Sequence, residues 1–207
     1  MNLSRPWAPI RSPIDMEVVL VLRGTTRLLT GREVARLVRA GSQPAVNSSL
    51  RRLTVEGILR AQEAGNAYLY TFNREHLAAP ALELLADIRL ELERRLLAEL
   101  ADWTIAPEHL SIFGSAARGD GDTRSDIDVF VVRPSRVSEE DARWRLQLDQ
   151  LSDYVQTWTG NHLALSEVSA ADVRRLRRER PPVVEELRRD AITLAGPTTG
   201  ELLGAAK

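Results

Sequence analysis

The sequence predicts an α+β protein made of two folded parts joined by a helix. Three observations point there. Residues 14–76 read as three helices and a hairpin, and residues 108–132 read as strand, small-residue turn, polar loop and strand. The charge also changes sign between them. Residues 1–80 carry 11 arginines against 6 acids (+5), and residues 81–207 carry 17 basic against 23 acidic residues (−6). A basic part beside an acidic one fits a nucleic-acid module next to something else.

Composition narrows the class. With 207 residues, 43% apolar and 28% charged, the chain can bury a real core, which excludes a disordered or fibrous protein. The absence of cysteine excludes a disulfide framework, cysteine-ligated zinc and a thiol nucleophile. Three scattered histidines, His76, His109 and His162, speak against a histidine-rich metal site. No apolar run approaches the ~20 residues of a membrane span. The first residues, MNLSRPWAPIRSPID, lack the apolar centre of a signal peptide. The expectation is a soluble, cytoplasmic protein with no membrane partner.

Residues 14–24 form a first helix ending near Gly24. A second starts at Thr30, where Thr30 and Glu33 make a capping box ahead of a Val34, Leu37, Val38 stripe, and stops by Gly41. A third covers 43–57, with Pro44 in its first turn and Gly57 at its end. Its Val46, Leu50 and Leu53 share one face, while Asn47 with Arg51 and Ser48 with Arg52 form outward pairs. Residues 59–63 and 67–72 are strands around Gly65-Asn66, which suit the positive backbone angles of a tight hairpin. This order resembles a winged helix-turn-helix domain over about 14–76. The resemblance implies that the third helix enters the major groove of double-stranded DNA, with Asn47, Ser48, Arg51 and Arg52 as its DNA-binding residues and the wing on the backbone. The alternative is a winged helix used for dimerisation or protein contact.

Residues 77–103, rich in Leu, Ala, Glu and Arg, read as one connecting helix whose Leu82, Leu85, Leu92, Leu96 and Leu100 recur near helical spacing. The domains expected are therefore 1–76, the connector 77–103, a second domain 104–195 and a loose tail 196–207.

Residues 108–132 carry most of the chemistry. Leu110 to Phe113 form a short strand, followed at once by Gly114-Ser115 and the turn Ala116 to Gly119. Gly114 lets a ligand approach the backbone, Ser115 offers a hydroxyl and Arg118 a fixed positive charge, a combination suited to phosphate. After a polar loop comes Asp126-Ile127-Asp128-Val129-Phe130-Val131-Val132. Strand alternation puts the two carboxylates on one face, about 7 Å apart. Hard oxygen ligands of this kind select Mg²⁺ or Mn²⁺.

Gly114-Ser115, Ala117-Arg118-Gly119-Asp120 and Ser125-Asp126-Ile127-Asp128 resemble the signature of the DNA polymerase β-like nucleotidyltransferase superfamily, above all its minimal branch, over about 108–195. The resemblance implies a mixed sheet flanked by helices. It also implies a nucleoside triphosphate, ATP first among them, held by Gly114, Ser115 and Arg118, and metal ions on Asp126 and Asp128. The reaction it implies moves a nucleoside monophosphate to a hydroxyl. Antitoxin-type members act on a partner protein, and winged helices often pair as homodimers.

The superfamily generally has a third acid on a later strand. Here residues 161–168 read as that strand, after a helix over about 138–158, and their one carboxylate is Glu167, the candidate third catalytic acid beside Asp126 and Asp128. The superfamily pattern has an aspartate earlier, where this chain has His162, Leu163 and Ala164. A one-residue register change reverses which face Glu167 meets. Two alternatives follow: a nucleotide-sensing transcriptional regulator without catalysis, or a small-molecule-modifying transferase whose winged helix only dimerises. His109 reads as structural, Trp144 and Trp158 as core anchors, and Arg174 to Arg178 as a solvated helix face.

Overall fold

The structure, a computed structural model, describes residues 3–204 except 6 and 40. The chain divides into two compact units, 1–88 and 89–207.

In the first unit, α1 (Pro13–Arg23), β1 (Leu29–Thr30), α2 (Gly31–Leu37) and α3 (Gln43–Val55) precede the hairpin β2 (Leu59–Ala64) and β3 (Ala67–Phe72). The capping box forms: Glu33 N–H donates to Thr30 Oγ1 at 3.2 Å, and Thr30 N–H donates to the Glu33 carboxylate at 2.7 Å. The short β1, too brief to show any period, pairs antiparallel with β3, so the sheet order is β1-β3-β2. Gly65 alone takes a positive φ (60°) in the two-residue loop, as in a type II′ turn, and Asn66 does not. Val46, Leu50 and Leu53 are fully buried with Val18, Val19, Leu22 and Val34. Leu37 is an exception to the expected α2 stripe: it ends the helix and is 59% exposed.

Arg52 departs from the outward pair. Asp15 lies fully buried in α1 and binds the Arg52 guanidinium, while Ser49 Oγ donates to the same carboxylate at 2.5 Å. Backbone N–H groups of Arg11 and Ser12 complete its shell at 2.8 and 2.9 Å. Burial raises the Asp15 carboxyl, but Ser49, these two N–H groups and Arg52 outweigh it and hold it below the ordinary range. Arg52 is thus an internal counter-ion, because a buried carboxylate without one is costly. Ser48 and Arg51 are exposed, and Asn47 is half-buried.

The expected single connector is two helices, α4 (Ala79–Ala86) and α5 (Ile88–Ala101), interrupted at Asp87. Asp87 accepts two hydrogen bonds from Arg23, at 3.0 and 2.5 Å. Leu82 joins the first core and Leu96 the second.

The second unit continues with β4 (His109–Phe113), α6 (Gly114–Arg118), β5 (Ile127–Arg133), α7 (Ala142–Thr159), β6 (Leu163–Ser169), α8 (Ala170–Glu179), α9 (Pro182–Asp190), β7 (Ile192–Ala195) and α10 (Thr199–Leu203). Its sheet order is β6-β5-β4-β7. β5 and β6 are parallel and the other pairs antiparallel, so the sheet is mixed, as expected. Alternation along β5 divides the core. Ile127, Val129 and Val131 face one cluster with α5 and α7, including Trp144. Phe130 and Val132 face another with Val173 of α8, Val184 and Leu187 of α9, and Leu203 of α10. Asp128 shares this second face by alternation.

The tail is not loose throughout. Thr198 caps α10, accepting Glu201 N–H at 3.3 Å, and Leu203 is buried; residues 205–207 lie outside the described residues. His109 lies inside β4 and is fully buried, with Nδ1 2.8 Å from the Pro197 carbonyl and Nε2 3.0 Å from Ser111 Oγ. Burial lowers its pKa, more than the Pro197 hydrogen bond raises it.

Candidate active site

The end of β4 sets the site's geometry. Gly114 is buried at φ 66°, and a Cβ built there would stand 2.4 Å from Asp128 Oδ2. Only glycine can occupy this position without displacing the carboxylate. Phe113 pairs with Asp128 across the ladder, so the turn and the carboxylate are fixed to each other by backbone hydrogen bonds. Ser115 is half-buried; its carbonyl accepts Gly119 N–H at 2.8 Å and Asp120 N–H at 3.1 Å. Gly121 passes close above it, with room for a Cβ only 3.0 Å from Ser115 Oγ.

The loop before β5 is pinned from two sides. Asp122 N–H donates to Ser125 Oγ at 2.9 Å, and Arg124 N–H donates to the Asp122 carboxylate at 2.8 Å. Asn161 Nδ2 donates to the carbonyls of Asp122 and Ser125, at 3.0 and 2.7 Å. This clamp delivers Asp126, exposed, to the start of β5 two residues ahead of Asp128. Burial raises the Asp128 carboxyl; the charges of Asp126 and then Glu186 raise it further, and Arg118 opposes them. The structure therefore brings together Gly114, Ser115, Asp126 and Asp128. Two carboxylates at a strand end are hard oxygen donors of the kind a divalent cation takes. Among the described residues no group of three acids or histidines is placed to hold a metal ion.

Glu167 stands elsewhere, while Arg118 ends α6 beside the turn with its guanidinium ion-paired. Glu167 pairs with Val131, three positions along the ladder from Asp128, and points to the opposite face of the sheet. There it accepts Arg133 Nε at 2.8 Å, Trp144 Nε1 at 2.9 Å and Arg145 Nη1 at 3.1 Å. Its job is to neutralise Arg133 at the end of β5 and Arg145 in the first turn of α7. The residue across from Asp128 is Ala164. Arg118 is ion-paired on both sides, through Nε to Asp120 at 3.0 Å and through Nη1 to Asp190 at 2.7 Å. Asp190, whose side chain is only 5% exposed, is held at a pKa of about 2 by Arg189 and Arg118.

Sequence reasoning passed over Asn161, Glu186 and Asp190. No local pattern marks them: each acts on a residue 36 or more positions away. His162 is exposed, next to the strand that carries Ala164.

No curated protein matches the sequence. A crystal structure of a toxin–antitoxin with AMP-PNP is 18% identical, covering 54% of this chain and 80% of that one with a TM-score of 0.37. A mutant of the MntA–HpeT toxin–antitoxin is 16% identical, with the same coverage and TM-score. Residues 93–189, which hold β4, the glycine–serine turn and both aspartates, match the family described as the nucleotidyltransferase domain.

Proposed function

We propose that the second unit transfers a nucleoside monophosphate from a nucleoside triphosphate, ATP first among them, to a hydroxyl acceptor. The observation that carries this reading is the contact of Gly114 with Asp128, which locks a serine-bearing turn against the Asp126–Asp128 pair. Asp126 and Asp128 would hold Mg²⁺ or Mn²⁺. Bound there, the cation supplies Lewis-acid polarisation of the α-phosphate and charge neutralisation of pyrophosphate. Ser115 donates its hydroxyl to a phosphate oxygen, and Gly114 leaves the backbone open to it. The acceptor oxygen forms a bond to the α-phosphorus, the bond from that phosphorus to the bridging oxygen breaks, pyrophosphate leaves, and the hydroxyl proton passes to solvent. The test is incubation with labelled triphosphates, Mg²⁺ and three acceptor pools: protein, RNA and small molecules. Label transfer with pyrophosphate release is the expected result, abolished in Asp126→Asn/Asp128→Asn. Transfer that survives the double substitution overturns the assignment.

One observation favours a second reading. With Ala164 across from Asp128 and Glu167 on the other face, the sheet offers no third acid. A nucleotide sensor without turnover fits that arrangement, and triphosphate binding without transfer identifies it.

For the first unit we infer a winged helix-turn-helix that binds double-stranded DNA through α3. A groove of about 850 Å³ between α3 and the hairpin is lined by Asn47, Arg51, Tyr68 and Tyr70, among others. Exposed Ser48 and Arg51 supply the phosphate and base-edge donors. Arg52 contributes by holding Asp15, not by reaching DNA.

A further inference from the structure

The glycine–serine turn is also held from α5, by a residue that lies ahead of the nucleotidyltransferase segment at 93–189. Helix α6 has only five residues, and Gly119, in the left-handed region at φ 71°, stops it. The carbonyls of a last helical turn have no partner within the helix. The Ala117 carbonyl is taken by Arg89, whose Nη1 donates to it at 2.6 Å across 28 positions of sequence. Arg89 stands in the first turn of α5. That helix is a firm base for the bond: Leu96, fully buried, joins the same core cluster as Ala117 and Ile127. Glu93, one turn along α5, lies 4.0 Å from Arg89 Nε and sets a negative charge beside the guanidinium. Different parts of the fold thus hold the two ends of α6. At Gly114 the holder is the β4–β5 ladder, through Phe113 and Asp128, and at Ala117 it is α5. Ser115 lies between these two points.

We propose that Arg89 is a positioning residue for triphosphate binding: it fixes the end of α6 so that Ser115 presents its hydroxyl to a phosphate oxygen. Arg89 itself does not touch the nucleotide. The proposal rests on the triphosphate reading above and adds to it a residue of the connecting segment. Its consequence is that the nucleotide-binding unit starts with α5 and not at residue 104, in line with the division of the chain between 88 and 89.

The experiment is a calorimetric titration of the full chain with a non-hydrolysable ATP analogue and Mg²⁺. Wild type is compared with Arg89→Met, Ser115→Ala, the double variant and Arg94→Met. Arg89→Met keeps the stem and removes the donor. Arg94→Met breaks the 2.7 Å pair with Glu91 on the same helix and serves as the control. A hydrogen bond to a charged phosphate contributes about tenfold in affinity, so Arg89→Met and Ser115→Ala are each expected to weaken binding by about that factor. Because both act through one hydroxyl, the double variant is expected to stay within about threefold of Ser115→Ala. Arg94→Met is expected to bind as wild type does. Calorimetry separates misplacement from misfolding, since unfolded chains lower the number of sites and a displaced serine lowers their affinity. Unchanged affinity in Arg89→Met, a fall in site number alone, an equal loss in Arg94→Met, or losses that multiply to about a hundredfold in the double variant each overturn this inference and leave the triphosphate site standing. No binding by wild type overturns the triphosphate reading and this inference with it, and unchanged affinity in Ser115→Ala overturns the role of that hydroxyl and of Arg89 together.

Discussion

Replacing Gly114 by alanine puts a methyl carbon 2.4 Å from Asp128 Oδ2, where ordinary contact needs about 3.4 Å. The carboxylate must retreat by roughly 1 Å. The backbone also stays at φ 66°, a conformation that costs a non-glycine residue about 1–2 kcal/mol. Gly119 is the internal control. It sits at φ 71° with nothing within 4 Å of a Cβ, so Gly119→Ala bears the backbone cost without the collision. Calorimetric melting of both variants is expected to show a fall of about 4–10 °C in the transition of the second unit. Label transfer separates them. A displacement of about 1 Å in a reacting geometry costs on the order of 100-fold in rate. Gly114→Ala is expected to lose that much, and Gly119→Ala no more than a few-fold. Equal activity in the two variants refutes the close approach of Gly114 and Asp128 as the basis of the site.

Glu167→Gln should leave label transfer intact but lower the stability of the second unit by roughly 1–3 kcal/mol, because it unbalances Arg133 and Arg145; denaturant melts check this. Asp15→Ala strands Arg52 and removes the acceptor for Ser49, so the first unit should lose about 3–5 kcal/mol while the second melts unchanged. On DNA, Arg51→Ala should weaken binding and reduce the salt slope by about one, read by fluorescence anisotropy at several salt concentrations. Arg52→Ala should instead show up first as lost stability. Burial holds the His109 imidazole below its ordinary pKa in the folded chain. Its contribution to stability is present above about pH 6.5 and is lost as pH falls from there through the folded pKa. A titration of its ring protons by NMR should give a value below 6.5, and a value above it contradicts this account.

The helices of the first unit were legible because apolar residues repeat at helical spacing and because Thr30–Glu33, Pro44 and Gly65 mark ends and turns. The strand β1 was not, since two residues carry no period. The Asp87 break was hidden by the unbroken run of helix-forming residues around it and shows only once Arg23, 64 positions away, is seen to hold it. At the candidate site, Gly114, Ser115, Asp126 and Asp128 lie within one short stretch, so strand alternation and turn chemistry could place them. Glu167 could not be placed that way. Its role depends on the register between β5 and β6, and that register pairs it with Val131 while setting Ala164 against Asp128. The partners of Arg52 and Arg118 were hidden for a related reason. Each arginine looked free in the sequence, and each is claimed by an aspartate 37 or 72 residues away.

Titration calorimetry with a non-hydrolysable triphosphate analogue, in the presence and absence of Mg²⁺, tests the account at its centre. Saturable heat that requires Mg²⁺ and disappears in Asp126→Asn/Asp128→Asn is the predicted result. No heat with any nucleoside triphosphate, or the same heat in the double variant, contradicts it.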